Sequence, residues 1–198
     1  MVMLHGFGSN GADLISLAPY FQDLFPEIYF YSPDGLDECE LGNCGYQWLS
    51  LQNRDNNSIK VELLKNINRV NQQIKSKLLE VGLDESKLIL LGFSQGTMLA
   101  LFMILSGNIT ASGAIGFSGK LIIPDNFNVI QIHTPICLIH GMRDEVVDYN
   151  ELLAAKEFLD KNELDNSILS VPHLGHTIDL SGIEFAKNFI KSKIINKK

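Results

Sequence analysis

The sequence has 198 residues, 45% hydrophobic and 20% charged, enough for one ordinary globular domain spanning residues 1–198 with a sizeable core. The net charge of −7 argues against nucleic acid as a partner, because phosphate binding draws on clustered Lys and Arg and the one basic cluster here is the tail Lys191–Lys198. The longest apolar run, Met98–Leu105, is far too short to cross a bilayer, so no transmembrane segment is expected.

The chain begins with an apolar strand fragment, Met1–Leu4, which runs into the glycine-rich loop His5-Gly6-Phe7-Gly8-Ser9-Asn10-Gly11. No charged leader with a cleavage site precedes this strand, so no secretory signal is read. A helical stretch over about Asp13–Phe25 follows, with Leu14, Leu17, Tyr20, Phe21 and Leu24 on one face, and Pro19 predicts a break within it. Ile28–Tyr31 reads as the second strand, stopped by Ser32-Pro33-Asp34-Gly35. The irregular segment Leu36–Asn57 holds the only tryptophan, Trp48, and a loop of that length in a small domain is usually functional. Cys39 and Cys44 lie in it. With Cys137 they make an odd, sparse set that predicts free thiols and a reducing, cytoplasmic setting.

Ser58–Val81 repeats apolar residues every three or four positions (Ile59, Leu63, Ile67, Val70, Ile74, Leu78) and predicts a helix capped by Gly82. Leu88–Leu91 is a wholly apolar run, as in a strand buried on both faces. Gly92-Phe93-Ser94-Gln95-Gly96 comes next, a G-x-S-x-G, and then the helix-favouring Thr97–Leu105. Strand, sharp turn and helix is the context in which this motif presents a nucleophilic serine, so Ser94 is the candidate nucleophile. Further strands are expected at Ala114–Phe117, Pro135–Ile139 and Ser167–Val171, and helices at Asp148–Asn162 and Leu180–Ile194. The alternation of strand and helix predicts a mostly parallel sheet covered on both faces, with ligands gathered beyond the strands' carboxyl ends.

A serine hydroxyl needs a base to take its proton and a third group to orient that base. Downstream, Asp144 lies just past one strand end and His176 just past the last, in the order serine, acid, histidine. Glu145, Asp148 and Asp179 rival Asp144, but Asp148 is better placed to cap the next helix. His173 rivals His176. His5 is read as a brace for the glycine loop and His140 as packing. The developing oxyanion needs N–H donors, and the backbone of Gln95 and of Phe7 is expected to supply them. Trp48, Leu121 and Val146 are candidates for an acyl groove. A competing signal is Gly6-Phe7-Gly8-Ser9-Asn10-Gly11, which is also G-x-G-x-x-G, with Asp34 about where a ribose-binding acid would stand. That pattern alone would read as a nucleotide-binding oxidoreductase. It leaves Ser94, Asp144 and His176 unexplained. A non-catalytic protein on a hydrolase fold is the third alternative.

Together LHGFGSNGADL, LLGFSQGTMLAL, HGMRDEVV and LGHTID resemble the phospholipase/carboxylesterase family of α/β-hydrolases, which includes acyl-protein thioesterases and small bacterial carboxylesterases. The resemblance runs over nearly the whole chain. It implies an α/β-hydrolase fold, Ser94, Asp144 and His176 as a triad, and the Phe7 and Gln95 N–H groups as oxyanion hole. It also implies a Trp-containing loop, Gly45–Leu51, beside the acyl site. The substrates it implies are small-molecule or lipid acyl esters: short or medium carboxylic esters, lysophospholipids or acyl thioesters. No metal or organic cofactor is implied, and a monomer or homodimer is expected. In one respect the sequence departs from the family pattern: the residues that usually precede Met1–Leu4, often edge strands, are missing from it.

Overall fold

The computed structural model describes residues 1–42 and 44–196. In chain order the strands are β1 (Val2–Leu4), β2 (Asp37–Glu38), β3 (Tyr46–Gln47), β4 (Ile89–Phe93), β5 (Gly113–Phe117), β6 (Ile136–Gly141) and β7 (Asn166–Val171). The helices are α1 (Gly11–Leu14), α2 (Ala18–Gln22), α3 (Asn56–Glu80), α4 (Gln95–Leu105), α5 (Asn150–Lys161) and α6 (Leu180–Phe189). β1, β4, β5, β6 and β7 form one sheet in that order, every neighbouring pair parallel. β2 and β3 form a separate antiparallel hairpin.

Side chains on successive strand residues point to opposite faces. Leu88 and Leu90 therefore join a core with Leu63, Val70 and Ile74 of α3, while Ile89 and Leu91 join a second core with Phe21 of α2 and Ile183 and Phe189 of α6. Both faces of the sheet are thus buried, which is why the strands read as unbroken apolar runs. α4 is apolar all round for the same reason, since each of its residues is buried. The long α3 buries one stripe, and its C-terminus closes in a Schellman motif: Leu83 N–H donates to Leu78 O at 2.8 Å, with Gly82 at φ +70°.

Most elements fall where the periodicity predicts them. Pro19 divides the first helical stretch into α1, a 3-10 turn at Ile15–Leu17, and α2. The expected second strand at Ile28–Tyr31 is reduced to a single parallel bridge between Tyr31 and Val2, held by Met3 N–H to Tyr31 O (2.8 Å) and Tyr31 N–H to Met1 O (3.0 Å). It lies outside β1 at the sheet margin, where only one side offers partners, and Pro33 cannot donate to a ladder. The last helix gives way after Phe189 to a π-helical turn, Ile190–Ile195, in which Lys193 pairs with Asp165 at 2.7 Å. Lys197 and Lys198 of the basic tail lie outside the described residues. None of the described helices is long and apolar enough to cross a membrane.

The expectation of three free thiols is corrected. Cys39 and Cys44 form a disulfide, their Cα atoms 5.8 Å apart. The hairpin brings them together: Cys39 N–H donates to Gly45 O (2.9 Å) and Gly42 N–H to Cys39 O (3.0 Å), with Gly42 at φ +69°. The argument from thiol count for a reducing compartment falls with it. Cys137 is free and buried in β6, and burial pushes its thiol well above the ordinary range, so it is inert at neutral pH. Titration with a thiol reagent should therefore find one thiol per chain in denaturant without reductant and all three cysteines after reduction. Three thiols without reductant would contradict the pairing.

Candidate active site

The turn after β4 is tightly packed. Ser94 has φ +53° and ψ −114°, a conformation a non-glycine residue holds only when its surroundings dictate it. What dictates it is the approach of α4 to the sheet. A Cβ on Gly96 would lie 1.9 Å from Leu4 O, and one on Gly92 would lie 2.5 Å from the Gly96 carbonyl. Glycine at both positions lets strand and helix meet, and Ser94 N–H is held by Phe117 O at 2.9 Å. The serine thus sits at the head of α4, 8% exposed, on the wall of a cavity of about 470 Å³.

His176 lines the same cavity, from the turn after β7. Its Nδ1 lies 2.8 Å from Asp144 Oδ2, across 32 residues of sequence. A carboxylate accepts, so Nδ1 carries the proton and Nε2 is left as the base. Backbone joins the two loops directly: Arg143 N–H donates to Leu174 O (2.9 Å) and Met142 N–H to Val171 O (2.9 Å). Asp144 Oδ1 accepts the N–H groups of Val146 and Val147, both at 2.9 Å. Burial alone would raise this carboxyl's pKa; the Val147 N–H, His176 and the Val146 N–H outweigh it, and the group is held below the ordinary carboxylate value. Ser94 Oγ and His176 share the cavity, but no hydrogen bond joins them among the described residues. Such bonds often tighten only when substrate is bound. The Phe93 ring packs on the His176 ring, centroids 4.9 Å apart.

None of the rivals bonds to His176 among the described residues, although Asp148 lines the cavity. His173 and Glu145 are exposed, and Asp148 Oδ1 accepts Asn150 N–H at 2.8 Å at the start of α5. Asp179 caps α6 through Gly182 N–H at 2.8 Å.

Phe7 lines the cavity beside Gly6, and neither its N–H nor that of Gln95 donates to another described residue. The loop carrying Phe7 is fixed from two sides. His5 is fully buried: its Nε2 accepts Gly35 N–H at 2.8 Å, which leaves Nδ1–H to donate to Gly6 O at 2.7 Å. Burial lowers its pKa, the opposing bond to Gly6 and the more distant Asp34 and Asp13 notwithstanding. On the other side the β2–β3 hairpin is zipped to the loop by Gly8 N–H to Tyr46 O, Gly45 N–H to Gly8 O and Tyr46 N–H to Ser9 O. A Cβ on Gly45 would be 2.1 Å from Ser9 O, so only glycine permits that approach.

Trp48 is corrected. It is fully buried, not on the groove wall. Its Nε1–H donates to His5 O (2.9 Å), its backbone N–H to Gln95 Oε1 (2.7 Å), and its carbonyl accepts Asn66 Nδ2–H (2.9 Å). Gln95 Nε2–H in turn donates to Leu49 O at 2.8 Å. An indole on a functional loop can face either way, and the need to satisfy its N–H in the interior decided here. Leu121 is likewise packed against the core. Val146 does line the cavity, at 60% exposure. Sequence reasoning missed Leu14, Ile59, Phe93 and Met98, which with Leu51 at the end of the Trp-containing loop give the cavity its apolar walls. It also missed Asn66, although a signal existed: Asn66 is a polar residue on the buried stripe of α3, between Leu63 and Val70.

The glycine loop shared with the dinucleotide fingerprint has a local explanation. Asp34 Oδ1 accepts Gly11 N–H at 2.8 Å, so the acid fastens the loop itself. No group of His, Cys, Asp and Glu side chains suited to a metal ion occurs among the described residues.

A parallel sheet with helices on both faces, a serine on a strained strand–helix turn, and an imidazole–carboxylate pair at the same sheet edge define an α/β-hydrolase. The phospholipase/carboxylesterase family profile matches residues 1–194, and the chain belongs to that family. Esterase YpfH of Escherichia coli is 31% identical over 198 aligned residues, covering 98% of this chain and 82% of its own. Acyl-protein thioesterase 1 of Emericella nidulans is 26% identical, with 96% and 88% covered. Among solved structures, esterase PE8 superposes with a TM-score of 0.88 at 30% identity, covering 97% of this chain and 91% of that one. The chain is accordingly an ester-hydrolysing enzyme by family.

Trp48→Phe keeps the ring but leaves the buried His5 carbonyl without its donor. It should destabilise the protein by about 1–3 kcal/mol and lower kcat more than it changes KM, measured by thermal melts and steady-state assays. Acid should also act through His5. In the unfolded chain it binds a proton below its ordinary pKa of 6.5, while the folded state, with its pKa lowered, resists protonation. Stability is therefore expected to decline as pH falls below 6.5. The part due to Asp144 is held at such pH and is lost only as pH drops through its folded pKa, below 3.8. In His5→Gln the decline of melting temperature just below pH 6.5 should be shallower than in the wild type; equal slopes would exclude His5 as its source.

Proposed function

We propose that this chain hydrolyses carboxylic esters through a covalent acyl-enzyme on Ser94. The observation that carries the reading is the 2.8 Å bond between His176 Nδ1 and Asp144 Oδ2, with His176 and Ser94 on one cavity wall. His176 Nε2 takes the Ser94 proton as Oγ attacks the acyl carbonyl. The carbonyl electrons move onto oxygen, where the N–H groups of Phe7 and Gln95 receive the charge. As the tetrahedral intermediate collapses, the bond to the leaving group breaks and His176 returns the proton to the departing alcohol or thiol. Water then attacks the acyl-serine, gives its proton to His176, and the carboxylic acid leaves as Oγ is reprotonated. Asp144 holds the imidazole in the required tautomer and balances its charge in both halves.

The acyl chain is assigned to the apolar part of the cavity, among Leu14, Leu51, Ile59, Phe93 and Met98. A volume of about 470 Å³ suits a short or medium chain. The leaving group we assign is an alcohol or a thiol, of a carboxylic ester, lysophospholipid or acyl thioester; relatives named esterase and acyl-protein thioesterase support that range.

Ser94→Ala should fold normally and lose roughly 10⁴–10⁶ in kcat toward a short-chain p-nitrophenyl ester. A fluorophosphonate should label the wild-type protein at Ser94, mapped by mass spectrometry, and leave Ser94→Ala unlabelled. Turnover that survives the substitution would rule the reading out. A panel of esters differing in acyl length, assayed with the same protein, should peak at short or medium chains.

A further inference from the structure

Asp144 touches two imidazoles. Besides His176, the ring of His140 approaches it: His140 Nε2 is 3.3 Å from Asp144 Oδ2, the same oxygen that takes His176 Nδ1 at 2.8 Å. His140 Nε2 also lies 2.9 Å from Val147 O. A carbonyl oxygen only accepts, so Nε2 carries a proton and donates it to Val147 O, with the Asp144 carboxylate oxygen beside that bond. His140 is 1% exposed, at the end of β6, and the edge of its ring faces Tyr149, centroids 6.3 Å apart. The Tyr149 hydroxyl is engaged with Ser170 Oγ at 2.7 Å and makes no demand on the imidazole.

We infer that His140 is a positioning residue for the hydrolase reaction: its Nε2–H, donated to Val147 O, holds the 144–147 turn, and through that turn the Asp144 carboxylate, in the orientation that aligns His176. The inference rests on the serine-hydrolase reading above. Three facts of geometry support it. Asp144 Oδ1 is fixed by the Val146 and Val147 N–H groups of a turn. His140 holds the far end of that turn through Val147 O. Its Nε2 also lies 3.3 Å from Oδ2, the atom that takes His176 Nδ1. Without the Nε2–H the Val147 carbonyl is left without this donor in the interior, and the turn whose N–H groups fix Asp144 Oδ1 loses its tether to β6. A ring that only filled space would have no reason to bring Nε2 within reach of both oxygens.

The test compares His140→Phe, which keeps a ring and removes the donor, with His140→Gln, whose amide can still donate. In His140→Phe, kcat for a short-chain ester should fall about 10- to 100-fold with KM changed by no more than about twofold. Labelling by fluorophosphonate should slow by a similar factor. His140→Gln should recover most of the loss. Folded His140→Phe protein with wild-type kcat would overturn the proposal, as would a glutamine variant no better than phenylalanine, since that is the mark of packing alone. Should His140→Phe fail to fold, long-range ¹H–¹⁵N spectra of the wild-type protein decide. The proposal requires the Nε2–H tautomer at His140, and the Nδ1–H tautomer would overturn it. Wild-type labelling at Ser94 separates the two readings. Its absence sinks the hydrolase mechanism and this inference together, whereas normal labelling with indifferent His140 variants sinks only the latter.

Discussion

Helix α4 meets the sheet so closely at Gly96 that its backbone rests against the Leu4 and His5 carbonyls. That contact forces Ser94 into φ +53° and points the first turn of the helix at the end of β1. Two parts of the site, separated by some ninety residues of sequence, are brought together by it. One is the serine with the free N–H of Gln95; the other is the loop after β1 with the N–H of Phe7. A side chain at residue 96 would push them apart and relax the turn together. The strain at Ser94 is therefore maintained by packing across the whole of α4, whose every residue is buried.

The same contact is reinforced through side chains. Gln95, whose backbone N–H has no partner among the described residues, sets its side-chain amide on Trp48 N–H and Leu49 O. Trp48 passes the link to His5 O, and His5 to Gly6 O and Gly35 N–H. Each of these groups has a partner and all but the Gly35 N–H are buried, so the chain of bonds has little freedom to settle elsewhere. The hairpin closes the loop from outside, and the Cys39–Cys44 disulfide lies against Gly8, 3.7 Å from where its Cβ would be. What the sequence presents as a long irregular segment is a scaffold for the loop after β1.

The catalytic candidates were legible because parallel strands make chain order into place. Ser94, Asp144 and His176 each follow an apolar run, and in a parallel sheet the residues after such runs share an edge. The cores were legible from the same runs, since a sheet buried on both faces has no polar alternation to blur it. What could not be read depended on contacts distant in sequence. Nothing local to Ile28–Tyr31 says that it lies at the margin with one partner. The spacing of Cys39 and Cys44 permits a bridge, but only the turn at Gly42 and the bond from Cys39 to Gly45 bring the sulfurs together. Trp48 is a groove candidate on the length of its loop and on the resemblance of Gly45–Leu51 to a Trp-containing loop beside an acyl site; its N–H meets a carbonyl inside instead. The thiol argument failed for a related reason, because an odd total says nothing about which pair can meet.

Asp144 is where fold and chemistry constrain each other most tightly. Its side chain is out of solvent, and a carboxylate in that position without partners would hold its proton. Protonated, it would no longer favour the Nδ1–H tautomer of His176 or offset the charge of the imidazolium. Ionisation thus requires donors that are present before any substrate arrives. The 144–147 turn supplies two from its own backbone, the turn after β7 delivers the His176 imidazole to the remaining oxygen, and His140 of β6 holds the Val147 end of the donor turn. Those donors are fixed by the register of adjacent parallel strands, His140 facing Ser170, and by the bond from Arg143 to Leu174 that ties one loop to the other. A shift of either strand by one residue would turn its side chains to the opposite face and leave the carboxylate buried without its counterparts. The pairing of β6 with β7 is therefore as much a condition of the proposed chemistry as the identity of the three side chains assigned to it.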